Sequence, residues 1–385
     1  MPQPQGTSNA NLLIDLKSIE ANWSILKELN APSSTAAVVK SDAYGLGVNK
    51  IIPILISAGC KTFFVATIEE AIVVRRLIAE NKILVLFGIN TFEEASTCIE
   101  YNLTPVLNHL GQLEIWKKIV SKDDKGIGRP TPKEAWLHLD TGMTRLGFPN
   151  EELEAIKTNP ELINNLNIGG VMSHLVCSEN VNHPINAAQL SRFTKIKLWL
   201  ESYIKFNAMW SLANSSGVFL GPAYHFDITR PGAALYGINP QPEKKNIMNE
   251  VVRLQAKILQ VQRVDTNQTV GYGATYKVKK PGRIATIGVG YADGYMRAGS
   301  GFAQAYIGDF RIPVVGRISM DLITLDISAV PERYSHVGSI VDLIGPNYSV
   351  DSLAKDSGTI GYEILTSLGK RYNRTWEGIG NTVKN

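Results

Sequence analysis

The chain has 385 residues, 44% of them hydrophobic and 19% charged, and a net charge of +4. That length suggests two domains, or a large one with a smaller companion, and the composition is that of a chain with ample core. So slight a charge, without a dense Lys/Arg block, gives no support for binding to nucleic acid or to a membrane surface.

Cys60, Cys98 and Cys177 are widely spaced and form no C-x-x-C pair, so neither a disulfide framework nor a zinc cluster is expected. A reducing, intracellular home fits that usage. The first 11 residues carry no basic segment and no long apolar run. No signal peptide or membrane span is expected, and the cytoplasm is the default location.

In chain order, residues 12–30 place Leu16, Ile19, Trp23, Leu26 and Leu29 at helical spacing. The apolar run Ala36-Ala37-Val38-Val39 reads as a buried strand ending on Lys40, followed by a loop and a helix at 51–58. Strands at 63–66, 83–88 and 103–107 alternate with helices at 68–80, 92–101 and 110–120. Residues 121–132 are rich in Asp, Lys, Gly and Pro and read as an exposed loop. Strands at 135–139, 168–174 and 208–212 follow, with a long helix at 186–203 between the last two. A short helix near 216–220 leads to strand-like residues 228–229 and 233–236.

Eight short strands alternating with helices imply parallel pairing and a closed (β/α)8 TIM barrel. An open doubly wound sheet is the runner-up, weakened because no G-x-G-x-x-G follows the first strand. After Pro240 the texture changes to β-like runs at 254–264, 284–289, 312–315, 322–327 and 339–344, with helical periodicity resuming near 359. The expected division is a barrel over residues 1–243 and a mainly β C-terminal domain over 244–385.

In such a barrel the active site lies at the C-terminal strand ends. Those ends carry Lys40, the stretch Asp140 to Arg145, His174, Asn214-Ser215-Ser216-Gly217 and Arg230-Pro231-Gly232. A lysine at a strand tip is either a solvated chain end or a desolvated amine of the kind that forms Schiff bases. A lone histidine there is more often structural. The two Ser/Gly clusters suit a phosphate, because Ser215 can donate its hydroxyl and glycines let backbone N–H groups approach closely. A phosphate site beside a strand-tip lysine suggests pyridoxal phosphate. The six histidines show no i,i+3 or i,i+4 pairing, so no metal centre is expected.

The stretch Ala37-Val38-Val39-Lys40-Ser41-Asp42-Ala43-Tyr44-Gly45-Leu46-Gly47 resembles the cofactor-lysine signature of the alanine racemases. Further stretches match that family in order: Asp140 to Gly147, Ala213-Asn214-Ser215, Arg230 to Gly237, Val270 to Tyr276, Gly290 to Gly294, Gly316 to Asp321 and Gly361 to Leu365. The resemblance spans essentially the whole chain. It implies an enzyme that interconverts L-alanine and D-alanine with pyridoxal 5'-phosphate, supplying D-alanine for peptidoglycan, and that acts as a homodimer with shared active sites. It implies that Lys40 carries the cofactor as an aldimine and is one catalytic base, with Tyr272 of the other subunit the opposite base. It also implies that Arg230 meets the pyridine nitrogen and that His174 lies against the ring. Tyr44, Asn214, Ser215, Gly232, Ala233 and Tyr362 would complete the cofactor site, while Arg145, Met320 and Tyr291 would face the substrate.

Two positions depart from the family pattern. His138 stands where many members have a lysine, often carbamylated, and an imidazole cannot supply that negative charge. Ser211 stands where many have a histidine that supports the arginine at the pyridine nitrogen. A broader-specificity amino-acid racemase is the alternative reading. A barrel decarboxylase fits less well because the motifs around Lys40 and Tyr272 resemble the racemases. A non-catalytic pyridoxal-phosphate carrier fits less well because it would lack the β domain of residues 245–385, which by the resemblance carries the second base.

Overall fold

In the computed structural model, residues 9–123, 134–164, 166–203 and 208–378 are described. The first described element is a strand, part of which falls where the spacing predicts a helix. Along β1 (Ala10–Asp15) buried and half-buried residues alternate, the period of a strand. The helix begins only at Leu16 and runs to Asn30. Asp15 sets that start as an N-cap, its Oδ1 accepting from the N–H of Lys17 at 2.9 Å and of Ser18 at 3.1 Å. Leu16, Ile19, Trp23 and Leu26 then face inward, as expected of an amphipathic helix.

The first barrel strand is split into β2 (Ser34–Thr35) and β3 (Ala37–Val38). β4 (Thr62–Val65), β5 (Lys82–Val85), β6 (Thr104–Leu107), β7 (Glu134–His138), β8 (Asn167–Met172) and β9 (Met209–Ser211) follow, with helices between them. These helices include Val48–Ser57, Ile68–Leu77, Phe92–Glu100, Leu110–Asp123, Asn150–Thr158 and Pro184–Tyr203. From β3 to β9 the strands pair in chain order, all parallel. A short eighth strand, β10 (Ile228–Thr229), pairs parallel with β2. It closes the seam through Ala36 N–H to Thr229 O at 3.0 Å and Arg230 N–H to Ala213 O at 2.9 Å. The expected (β/α)8 barrel is therefore present, with seven strands in one ladder and the eighth as a narrow closure.

Residues Ala233–Tyr236, expected as strand, form a 3-10 turn, and so do Ser216–Leu220. The expected loop at 121–132 lies mostly outside the described residues, and its first three residues finish the helix Leu110–Asp123.

The second unit is mainly β, as expected. It contains β11 (Val252–Val264), β12 (Thr269–Val270), β13 (Tyr276–Lys277), β14 (Gly282–Ile287), β15 (Gln304–Ile307), β16 (Phe310–Pro313), β17 (Ile323–Asp326), β18 (Ile340–Ile344) and β19 (Asn373–Glu377). Its main sheet runs β16-β15-β18-β11-β1-β19, with β14 on β11 and β17 on β14. β1 is thus clamped between β11 and β19, tying the start of the chain to the far sheet. The helices Val350–Asp356 and Gly361–Ser367 precede β19 and carry Tyr362 toward the barrel mouth, where its ring centre lies 6.0 Å from that of Tyr44. No helix among the described residues is long and apolar enough to cross a membrane.

Candidate active site

Lys40 leaves the tip of the first barrel strand half-buried. Burial lowers its amine pKa, Arg145 adds to that, and the Glu70 carboxylate pulls the other way. The residues after it form a left-handed turn rather than an ordinary loop. Ser41, Asp42 and Ala43 have φ of 54° and Tyr44 of 57°. Each such L-residue costs roughly 1–2 kcal/mol, so the surroundings must hold the turn in place. They do so at both ends. Glu70 Oε1 accepts from Ser41 N–H at 2.7 Å, and Asp42 Oδ1 accepts from Val48 N–H at 2.8 Å. From β19, Arg374 donates to Gly45 O, and Trp376 Nε1 donates to Leu46 O at 2.8 Å. Gly45, at φ 80°, has no room for a side chain, since a Cβ would stand 2.8 Å from Leu365 O.

The turn buries Tyr44 between Tyr236 and Tyr362, at ring distances of 4.7 and 6.0 Å. Burial, and after it Tyr362, raises the Tyr44 phenol well above its ordinary pKa, so it stays protonated and can donate. Its hydroxyl faces Gly232, where a Cβ would come within 2.4 Å of Tyr44 Oη.

Opposite lies Ser215. Its Oγ accepts from Gly232 N–H at 2.9 Å and from Ala234 N–H at 3.2 Å. With both lone pairs engaged, its own O–H is free to donate outward. The Gly232 N–H is thus directed at Ser215 rather than left open, while Ala233 is buried behind it. Asn214 bridges to Arg230 along the backbone, and its Oδ1 accepts from Gly217 N–H and Ser178 Oγ, both at 2.8 Å.

Arg230 is buried at 4% exposure. Nη1 donates to Ser211 Oγ at 2.5 Å, and Nη2 to Ser173 O at 2.6 Å and Leu212 O at 3.5 Å. Ser211 is therefore a direct support for this arginine. Its hydroxyl in turn donates to Ile228 O at 2.5 Å. The Arg230 Nε–H makes no hydrogen bond to any described residue. Burial presses the guanidinium down to about 9, which still leaves it charged at neutral pH. His174 is driven well below its ordinary pKa by burial, then by Arg230, Arg145, His138 and Lys40, so it is neutral. His138, deeper in the barrel, is pressed to about 3 by burial and then Arg230, against the opposing pull of Asp140.

Arg145 ends a loop shaped by Asp140. Burial pushes the Asp140 carboxyl up, but N–H groups of Gly142, Thr144 and Met143 outweigh it and hold it below the usual range. That loop is also tied to the end of β8 through Thr141 Oγ1 to Ser173 Oγ at 2.7 Å.

The remaining expected residues form a second group on the β unit. Tyr291 N–H donates to Ser319 O and Ala292 N–H to Met320 O, both at 3.0 Å. Arg371 fastens this pair of loops, with Nε 2.5 Å from Asp293 Oδ1 and Nη1 2.8 Å from Asp321 Oδ1. Tyr272 stands in a turn packed on Arg317 and is 72% exposed. Among the described residues, no hydrogen bond, ion pair or ring contact joins Tyr272, Tyr291 or Met320 to Lys40, Arg230 or Ser215.

Sequence reasoning missed Glu70, Asn108, Arg371 and Arg374. Only Glu70 left a local signal, the T-x-x-E of Thr67 to Glu70 that marks a helix start.

Residues 14–240 match the family described as alanine racemase, N-terminal domain, and residues 251–376 match alanine racemase, C-terminal domain. The chain belongs to the alanine racemase family. An alanine racemase of Rhodospirillum rubrum is 44% identical, covering 97% of each protein. A protein of Agrobacterium fabrum named as a catabolic alanine racemase is 42% identical, covering 97% of this chain and 94% of that one. The crystal structure of alanine racemase from Bartonella henselae with covalently bound pyridoxal phosphate superposes with a TM-score of 0.89 at 36% identity. It covers 96% of this chain and 100% of that one. The racemase signature read at Lys40 thus lies within a match that runs through both domains.

Proposed function

We propose that this protein interconverts L-alanine and D-alanine with pyridoxal phosphate as its cofactor. One observation carries the reading: the half-buried Lys40 amine shares the barrel mouth with a phosphate-suited cradle and a buried arginine that has a free Nε–H. The cradle fits the group. Gly232 has no side chain to fill it, and the outward hydroxyls of Ser215 and Tyr44 are donors suited to an anion. When bound, the cofactor supplies an electron sink for the negative charge that develops at the substrate Cα.

The chain's own residues do the rest. Lys40 would hold the cofactor and move a proton at Cα from one face. Tyr272 of a second copy would do so from the other, which inverts the centre without a single base swinging around. The exposure of Tyr272, and the absence among the described residues of any hydrogen bond, ion pair or ring contact from it to Lys40, Arg230 or Ser215, support that sharing. Arg230 stays protonated, so its Nε–H can donate to a pyridine nitrogen without protonating it, which limits the electron sink and disfavours transamination. Neutral His174 would lie against the ring. Arg145, with the Met320 loop, would take the substrate carboxylate. Tyr291 would line the entrance. The product would serve peptidoglycan assembly from the cytoplasm.

The test is direct. Purified protein is incubated with L-alanine, and D-alanine is scored by chiral chromatography with L-serine and L-lysine in parallel. D-alanine with little turnover of the others is expected. Equal turnover of all three would favour a broad-specificity racemase, and no D-alanine would overturn the reading.

A further inference from the structure

Of the four left-handed residues after Lys40, Ser41 comes first, and one side chain holds it. Glu70 Oε1 accepts from Ser41 N–H at 2.7 Å while Oε2 accepts from Ala66 N–H at 2.8 Å. Ala66 directly follows β4, the strand that pairs with β3 just before Lys40. Glu70 therefore ties the base of the lysine turn to the end of the neighbouring strand.

The same glutamate also works in a helix cap. Thr67 caps the helix Ile68–Leu77 by accepting from Glu70 N–H at 3.3 Å. The glutamate carboxylate reaches back to the residue before the cap. The next barrel helix repeats this device. Thr91 accepts from Glu94 N–H at 3.1 Å, and the Glu94 carboxylate accepts from Asn90 N–H. Capping engages one carboxylate oxygen in each case. The second oxygen of Glu70 grips a residue 29 positions upstream, and Glu94 has no such second bond among the described residues. Capping alone does not explain that extra bond, and its partner is the first residue of the turn that carries Lys40 and Tyr44.

We propose that Glu70 is a positioning residue: by clamping Ser41 N–H to the end of β4, it fixes the turn that aims the Lys40 amine and the Tyr44 hydroxyl together at the cofactor. Arg374 and Trp376 hold the other end of the same turn. This inference rests on the reading of Lys40 as the cofactor lysine.

The experiment compares full-length wild type, Glu70→Gln and Glu94→Gln, each stripped of cofactor. Pyridoxal phosphate is titrated back and followed by the visible band that borohydride removes. Hydrogen exchange of the peptide spanning Ser41 to Leu46 is read on the unloaded protein. A carboxamide has one acceptor oxygen, so Glu70→Gln sets an N–H against an N–H at one of its two bonds. The dissociation constant for pyridoxal phosphate is expected to rise about tenfold, about 1.4 kcal/mol. Exchange in the turn is expected to quicken. Glu94→Gln removes the same negative charge at a helix start but keeps an oxygen for its one bond, and should change neither readout.

Arg374→Gln opens the far end of the turn and should produce both changes, which keeps the proposal open to test if Glu70→Gln folds poorly. Wild-type affinity and exchange in Glu70→Gln would overturn it, as would equal shifts in Glu94→Gln. A wild type that takes up no pyridoxal phosphate would overturn the cofactor reading and this proposal with it. Uptake by wild type with an unchanged constant in Glu70→Gln would overturn this proposal alone.

Discussion

Asn108 Oδ1 lies 2.8 Å from His138 Nδ1 inside the barrel. The orientation of that amide is set by its other bonds, since Nδ2 donates to Val106 O at 2.9 Å and Leu86 O at 3.1 Å. The hydrogen-bond network therefore assigns the proton to His138 Nδ1 and leaves Nε2 with a lone pair. A buried imidazole stands here as a neutral acceptor at a position where many family members have a lysine.

The first prediction follows from that neutrality. His138 titrates near 6.5 in an unfolded chain and is pressed to about 3 in the folded one. Between those values the unfolded state binds the extra proton, so stability falls as pH falls. The slope from this residue is roughly 1.4 kcal/mol per pH unit. His174 is depressed in the same direction and adds to it. His138→Gln should remove one proton from the acid dependence of the urea midpoint measured at pH 7, 6 and 5. An unchanged dependence, or an imidazole resonance titrating near 6.5 in the folded protein that is lost in His138→Gln, would count against this assignment.

Gly232 and Tyr44 give the second prediction. A Cβ at 232 would stand 2.4 Å from Tyr44 Oη, 3.1 Å from its Cζ and 3.2 Å from Val38 Cβ. Overpacking of this kind costs about 1–3 kcal/mol. Gly232→Ala should lose that much in urea unfolding and bind pyridoxal phosphate more weakly. Adding Tyr44→Phe removes the nearest atom, so the double variant should recover much of the stability while staying weak for the cofactor. Strict additivity of the two changes would mean that the close approach does not govern the site.

Lys40 could be found in the sequence because its signal is local: an apolar tetrapeptide, a lysine, then polar residues and glycine. The eight-strand count worked for the same reason, since each strand of a parallel barrel is a short apolar run bounded by turn residues. Ala233–Tyr236 shows where that signal fails, because four buried apolar residues look alike as strand or as 3-10 turn. β1 was missed because its alternation runs directly into the helix that Asp15 caps, and the helical spacing dominates a shared window. The left-handed turn had no local cue beyond its glycines, because Glu70, Arg374 and Trp376, which hold it, are distant in sequence. Arg371 was invisible for the same reason, as its partners Asp293 and Asp321 lie 78 and 50 positions away.

Those two carboxylates supply the third prediction. Arg371 bonds both, but Asp293 is nearly buried, with 7% of its side chain exposed, and Asp321 is open at 55%. Asp293 Oδ2 also accepts from Gly290 N–H at 2.8 Å, next to Tyr291. Asp293→Ala strands that N–H and the loop it anchors, at a cost of about 1–3 kcal/mol. Asp321→Ala should cost much less, because an exposed pair is well screened. The two are compared by urea unfolding, with the KM for alanine measured alongside. A higher KM in Asp293→Ala is expected, since the Tyr291 and Met320 loops are bonded to each other. Equal losses in the two variants would show that burial does not set the strength of this link.

The final prediction concerns Tyr272. Tyr272 is 72% exposed, and among the described residues no hydrogen bond, ion pair or ring contact joins it to Lys40, Arg230 or Ser215 of its own chain. If a second copy supplies it, each active site combines Lys40 of one chain with Tyr272 of the other. Lys40→Ala and Tyr272→Phe should each lose about 10²–10⁴-fold in rate alone, as removal of an acid–base group does. Mixed and allowed to exchange subunits, the two inactive chains should regain activity. In a mixed dimer one site then holds both intact bases and the other holds neither. Random exchange of a two-fold dimer puts half the molecules in the mixed form, so recovery should approach about a quarter of the wild-type rate. Light scattering should give a dimer for both variants before mixing. A dimer with no recovery after proven exchange would place Tyr272 in its own chain's site, and a monomer that retains full wild-type activity would remove the need for a shared site altogether.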